Sequence, residues 1–306
     1  LGRKQLEELL HYATILSQHR EDDVQAQKRA RTSSPKQHVA EEDIHKEWVA
    51  KTAKLVPIFT KQDIETCIQK IKGVSFQQPI PLFGAQLQAI AVSSGYSLGS
   101  ANWVLQTSNA SEKIVYLAAS SANSSRHPEP LDFESLQNAQ VAIVTNLNQF
   151  STCKNTISTD FMVNELCRNI GSIISSGGDV LIPVYSSGII YDLIEYVRMY
   201  LNSMSMHATN MYMVSPSADH ALAYANINAE WLSSQKQSKA YLPEAPFQHM
   251  QYLKNRQLQV FSTVQQFATV YSTTRMQPCV VFCGHASLRF GDVLHLMKLF
   301  DSSEKN

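Results

Sequence analysis

The stretch GGDVLIPVYSSGIIYDLIEYV, residues 177–197, changes period halfway along. Val180 to Val184 is a short, nearly unbroken apolar run bounded by glycine and serine, as expected of a strand buried on both faces. From Ile189 to Tyr200 the apolar positions recur at helical spacing. A buried strand that turns at once into an amphipathic helix is the first half of a βαβ crossover. The pattern repeats downstream: MYMVS (212–215 with Met211) is a strand, Ala221 to Leu232 a helix, and PCVVFCG (278–284) another continuous apolar strand. Upstream, VAIVT (141–145) reads as a buried strand, and Met162 to Ile174 as a helix ended by Gly177-Gly178. Alternating strands and helices imply right-handed crossovers and a mostly parallel sheet. The region from about residue 150 is therefore α/β and Rossmann-like.

Before it the grammar differs. PIPLFGAQLQAIAV (79–92), NWVLQTS (102–108) and KIVYLAAS (113–120) alternate with period two, and TSNASE forms a hairpin loop, which predicts an antiparallel sheet. Thr60 reads as the N-cap of a helix with Ile64, Cys67, Ile68 and Ile71 on one face, stopped by Gly73. Ile44, Trp48, Val49 and Ala53 fit another helix, and Leu6, Leu9, Leu10, Ala13 and Leu16 a third. Between these, Gln18–Glu42 is polar, charged and broken by proline, and is read as a disordered insertion. Its basic run Lys28-Arg29-Ala30-Arg31 reads as a solvated loop or as a nuclear import signal, and Ser34 before Pro35 is a candidate kinase site. Because the chain opens on Leu1 in a helical pattern, it is expected to be a piece of a longer protein.

Composition narrows the function classes. Lys and Arg number 26, as do Asp and Glu, so no global charge draws the chain to nucleic acid or to an anionic membrane. No apolar run approaches the ~20 residues of a spanning helix. Five cysteines without a C-x-x-C pair suit a reducing compartment. The ten histidines form no H-x-H, H-x-x-H or H-x-x-x-H pair. Cys283-Gly284-His285 is the nearest approach to a metal or nucleophile motif and reads better as a strand-end thiol beside a loop imidazole. Ser186-Ser187-Gly188 reads as a βα turn with a serine N-cap, LPEAPFQH (242–249) as a rigid loop with an exposed aromatic, and Arg289 with Asp292 as a structural pair.

Four blocks carry a resemblance: LFGAQLQAIAVSSGYSLGSANWVLQ (82–106), GGDVLIPVYSSGIIYDLIEYV (177–197), EWLSSQKQSKAYLPEAPFQHMQYLKNRQL (230–258) and QPCVVFCGHASLRFGDVLHLMKL (277–299). In this order they resemble the metallo-β-lactamase/β-CASP proteins that process RNA 3′ ends. The resemblance implies an α/β protein in which residues 1–149 are a partial metallo-β-lactamase domain and 150–306 an inserted Rossmann-like β-CASP domain. Active members carry a turn of the form H-A-G-H-x-L-G whose second histidine binds zinc. Against it, Ser93-Ser94-Gly95-Tyr96-Ser97-Leu98-Gly99 keeps both glycines and has Tyr96 in that histidine's place. A phenol with a pKa of ~10 is a poor zinc ligand. The zinc-bridging aspartate of active members falls at Ala119, and an acidic position at the end of the next strand falls at Thr145.

The resemblance thus implies a non-catalytic, nuclear subunit that holds no metal or cofactor, pairs with an active endonuclease of the same family and meets RNA indirectly. Two alternatives stay open: an active zinc-dependent nuclease, and the inactive partner in pre-mRNA cleavage and polyadenylation.

Overall fold

A computed structural model describes residues 59–145, 158–242, 244–274 and 277–301. The readings placed on residues 1–58, including both N-terminal helices, the 18–42 insertion and its basic run, lie outside the described residues. The contacts divide the chain after Ile71. In the first unit, α1 (Lys61–Lys70) starts as its sequence predicts. Thr60 Oγ1 accepts from the Asp63 N–H at 3.2 Å while Thr60 N–H donates to the Asp63 carboxylate at 2.8 Å, a reciprocal capping box. The carboxylate is held below its usual range by those Thr60 hydrogen bonds. The helix ends before Gly73, because Ile71 is already extended and exposed, and of the predicted apolar face Ile64 is the residue that is buried.

The second unit, Lys72–Asn306, contains two sheets. The first runs in simple order through β1 (Pro79–Leu82), β2 (Leu87–Ser93), β3 (Ala101–Thr107), β4 (Lys113–Leu117) and β5 (Val141–Val144). The first three pairings are antiparallel and β5 joins β4 in parallel. Val92, Val104 and Val115 face one small core. The expectation that β5 is buried is corrected: Val141, Ile143 and Val144 are each nearly half exposed. The apolar run was read correctly as a strand, but β5 ends the sheet with β4 as its one neighbour among the described residues. A run of four apolar residues reports β structure, and burial needs covering layers that the run itself does not encode.

The second sheet is parallel, in the order β6 (Val180–Pro183), β9 (Cys279–Cys283), β7 (Asn210–Val214) and β8 (Leu258–Phe261). Around it lie α2 (Thr159–Ser175), α3 (Ile190–Ser203), α4 (Ala218–Ile227), α5 (Ser234–Tyr241), α6 (His249–Lys254), α7 (Val264–Thr274) and α8 (Val293–Phe300). Period-two alternation sorts the strands' side chains. Met211, Met213, Val280 and Phe282 pack with α2, α3, α4 and α6, whereas Tyr212, Val214, Val281 and Cys283 pack with α7 and α8. Right-handed crossovers explain the sorting. The path β6 to β7 to β8 runs one way across the sheet and the return from β8 to β9 runs the other, which sends α7 to the opposite face. The expected boundary near residue 150 lies outside the described residues.

Three local expectations change. The helix expected to run to Leu232 ends at Ile227 and is followed by a 3-10 turn, Ala229–Trp231. The N-cap of α3 is Ile189, with no side-chain cap, because Ser186 instead bonds Ser217 Oγ at 2.7 Å and ties the ends of β6 and β7 together. Phe247, expected to be exposed, is fully buried. Its ring lies under the Lys236 ammonium at 4.3 Å and stacks on His249. Glu195 secures the same loop, accepting from Lys236 Nζ at 2.8 Å and from the Gln248 N–H at 2.9 Å. Proline-rich spacing marked a rigid loop, but nothing in it marked the loop as folded inward.

His249 is fully buried, with Nε2 2.8 Å from Asn226 Nδ2 and 3.1 Å from the Leu222 carbonyl. Burial pulls its pKa from 6.5 down to about 4. The unfolded chain therefore binds a proton that the folded chain refuses between these values, and the stability contributed by the neutral ring is lost as pH falls through that window. The loss approaches ~3 kcal/mol at full development. Urea midpoints measured from pH 7 to 4.5 should fall more steeply for the wild type than for His249→Gln, and equal slopes would contradict this assignment.

Candidate functional site

The register of the first sheet brings the three expected positions to one end. Ser93 closes β2 opposite Ala101 of β3, Trp103 pairs with Tyr116 near the end of β4, and Leu117 pairs with Val144 at the end of β5. The Ser94–Ser100 turn, the loop holding Ala119 and the strand-end Thr145 therefore share an edge. The Ser121 N–H donates to the Ser94 carbonyl at 2.9 Å, which fixes the Ala119 loop beside the turn. Thr145 turns its hydroxyl back, donating to the Leu117 carbonyl at 2.8 Å. Tyr96 is half exposed, so its ring does not fill the interior of this edge. Its exposure follows from the turn: Ser94 Oγ, Ser100 Oγ and buried Gly95 occupy the inner side.

The chemistry offered here is modest. A half-exposed phenol, a methyl group and a hydroxyl already donating to a carbonyl stand at the three positions. Among the described residues no group of three or more His, Cys, Asp or Glu side chains is placed to hold a metal ion. Asn102, which the sequence reading passed over, organises the edge. It is fully buried, and its Oδ1 accepts from the Ala118 N–H and from Ser120 Oγ, both at 2.9 Å. Its Nδ2 is buried without a partner, a cost that the two acceptor bonds offset only in part. The available signal was a polar side chain at an inward register position, two before buried Val104.

A second element was not legible in the sequence. His127 is fully buried and its Nδ1 lies 2.8 Å from Asp192 Oδ2 on α3. The other carboxylate oxygen accepts the backbone N–H of His127 at 3.1 Å, and His127 Nε2 accepts the Leu98 N–H at 3.3 Å. Around it, Glu129 N–H donates to the Trp231 carbonyl, Ser233 N–H donates to the His127 carbonyl, and Pro128 bridges Leu232. The loop from β4 is thus stitched to the helical region, and Leu98 packs into the core of the parallel sheet. Beside Asp192 a cavity of 250 Å³ is lined by Arg126, Asp160, Asn164, Ile189 and Tyr196, among others. The Tyr196 phenol is pushed up by burial and by the carboxylates of Asp192, Asp160 and Glu195, so it stays neutral.

The remaining candidates stay apart from this edge. The Cys283 thiol is buried in the α7/α8 core and its Sγ lies 3.3 Å from the Gly284 carbonyl. His285 pairs its Nδ1 with Ser287 Oγ at 2.7 Å and stacks on Phe290 at 4.2 Å. Arg289 is exposed whereas Asp292 is buried. Burial raises the thiols of Cys167 and Cys279, which keeps them protonated and inert.

Both turn glycines have structural duties. Gly95 has φ +65°, and a Cβ there would sit 2.3 Å from the Ser121 carbonyl oxygen and 2.8 Å from the Leu131 nitrogen. Gly99 has φ +73°, with the Trp231 ring at 3.0 Å from the Cβ position. Gly84 has a similar φ, +66°, in open space. Gly84→Ala should cost about 1 kcal/mol of backbone strain, whereas Gly95→Ala adds a backbone clash and should cost ~3 kcal/mol or more. Thermal melts of the two variants check this, and equal losses would show that the close approach is unimportant.

Residues 36–149 match the metallo-beta-lactamase superfamily domain. Integrator complex subunit 9 of Homo sapiens is 42% identical over 248 residues, covering 81% of this chain and 36% of that protein. The Dictyostelium discoideum subunit 9 homolog is 38% identical over 249 residues, covering 81% and 33%. Integrator complex subunit 11 of Danio rerio is 24% identical over 258 residues, covering 81% and 38%. The chain spans about a third of the length of these relatives. By sequence the chain groups with the Integrator complex subunit 9 proteins, and its residues 36–149 carry a metallo-beta-lactamase superfamily domain.

Proposed function

We propose that the chain is part of a non-catalytic, structural subunit of the Integrator RNA cleavage module. The observation that carries this reading is the sheet edge where Tyr96, the Ala119 loop and Thr145 meet. The resemblance places a zinc-binding histidine, a bridging aspartate and an acidic residue at these positions, and none of the three present supplies an imidazole or a carboxylate. Two divalent ions held close together repel strongly unless an anionic ligand lies between them, and the methyl group of Ala119 cannot serve. In this reading the subunit positions the active endonuclease, Integrator subunit 11, together with subunit 4. It works in the nucleus, in 3′-end processing of small nuclear RNA and in cleavage of nascent transcripts, and it meets RNA through its partners. The family match ending at residue 149 supports the division into a partial lactamase domain, 1–149, and a β-CASP domain, 150–306.

Two measurements test the proposal. Purified full-length protein should carry well under one zinc per chain and leave RNA uncut, while stoichiometric zinc with cleavage would establish the active-nuclease alternative. Affinity purification from nuclear extract should recover subunits 11 and 4. Recovery of polyadenylation subunits in their place would move the chain to the other 3′-end complex.

A further inference from the structure

The first turns of α2 and α3 and the loop after β4 meet around the 250 Å³ cavity beside Asp192. Its volume is below the ~300–1,000 Å³ of sites that enclose a drug-sized ligand, and it suits one long side chain. The walls are of two kinds. Val163 of α2, Leu193 of α3 and Ile189 just before α3 are apolar, and the Tyr196 ring adds an aromatic wall. Asp160, Asp192 and Arg126 supply the charge. Among the described residues neither carboxylate has a lysine or arginine partner: Asp192 is bonded to His127, and Asp160 forms no ion pair. Arg126 lines the same cavity and pairs with neither of them.

The balance of charge inside is negative. At the Tyr196 phenol, Asp192, Asp160 and Glu195 (the last paired with Lys236) each act more strongly than Arg126, which opposes them. A negative interior repels the phosphates of RNA and attracts a cation. Among the described residues no group of three or more His, Cys, Asp or Glu is placed to hold a metal ion. Apolar walls around a carboxylate instead fit a side chain that lays an aliphatic stem on the walls and aims a charged head at the acid. Arginine fits best, because its planar guanidinium both grips a carboxylate and stacks on an aromatic ring. Beside Asp160, Phe161 and Met162 are each more than half exposed. Aromatic and methionine side chains are the types that protein interfaces gather around such an anchor.

We propose that this cavity is a docking socket for a protein partner, which inserts one arginine side chain between α2 and α3. The stem lies on Val163, Ile189 and Leu193, and the guanidinium turns toward Asp160 and away from Arg126. The inference holds whether or not the Tyr96 edge binds metal.

Methyl NMR of the full-length protein, read at Ile189 and Leu193, tests the socket with N-acetyl-arginine amide as the probe. The probe should shift these methyls saturably. N-acetyl-citrulline amide, of the same shape without the charge, should bind roughly tenfold more weakly. Asp160→Asn should weaken arginine binding about threefold. Arg126→Gln, which removes a like charge, should tighten it by about the same factor. The two variants move affinity in opposite directions, so a general loss of structure cannot produce both results. Absence of a saturable shift, equal binding of citrulline, or weaker binding in Arg126→Gln overturns the socket. Photo-crosslinking then identifies the source of the arginine, with benzoylphenylalanine in place of Phe161 in the full-length protein in nuclear extract. The crosslinked peptide should belong to another protein and contain an arginine whose change to glutamine removes the crosslink, and Asp160→Asn should reduce it. Crosslinks confined to the chain itself or to RNA overturn the partner assignment, as does the absence of any protein crosslink.

Discussion

The Asp192 carboxylate grips residue 127 twice, once through the ring and once through the backbone, and the arrangement of the two sheets hangs on that grip. The loop leaving β4 is long and mostly irregular. Left alone it would lose substantial conformational entropy on ordering, roughly 1–2 kcal/mol per residue. The carboxylate offsets this by fixing one point on helix α3, after which the Pro128–Leu232 bridge and the Glu129 and Ser233 backbone bonds extend the seam. An isolated charge in such a place would be prohibitive. Two N–H donors to two oxygens make it tolerable, and the same geometry forces the imidazole to be neutral on its far side.

Much of the fold was open to reading in one dimension. Strands β2, β3 and β4 and the βαβ units from β6 onward follow from period two and from short apolar runs between glycines, because burial of a sheet face imposes those patterns directly. The edge itself was reached through glycine positions in Ser93–Gly99. What escaped has a common physical cause. The His127–Asp192 pair joins residues 65 apart, and Phe247 is covered by an ammonium and a helix that approach from elsewhere in the chain. Asn102 looked like any polar residue in an alternating strand. Contacts of this kind depend on how elements meet, and local periodicity carries no record of the meeting. The exposed flank of β5 is the converse: four apolar residues describe a strand that suits cover on both faces, and the described residues leave it bare.

Arg198 shows a parallel economy in the helical region. Its guanidinium is fully buried in α3, donating to the Thr209 and Met206 carbonyls at 2.8 and 3.1 Å. It thereby ties off the loop between α3 and β7, as Asp192 ties off the loop after β4. Helix α3 thus presents two buried charged side chains of opposite sign, each hydrogen-bonded to an otherwise irregular segment. The helix is a mast to which both regions are rigged, and its register sets where the Tyr96 turn comes to rest.

The two glycines of that turn are held by the Ser121 carbonyl and the Trp231 ring, contacts that owe nothing to a ligand. A glycine frame of this kind is a mark of how the chain is packed and is silent about what the packed edge does. Glycines at this spacing therefore report the close approach of the Ser121 and Trp231 segments, and any chemistry at the edge has to be read from the side chains between and around them.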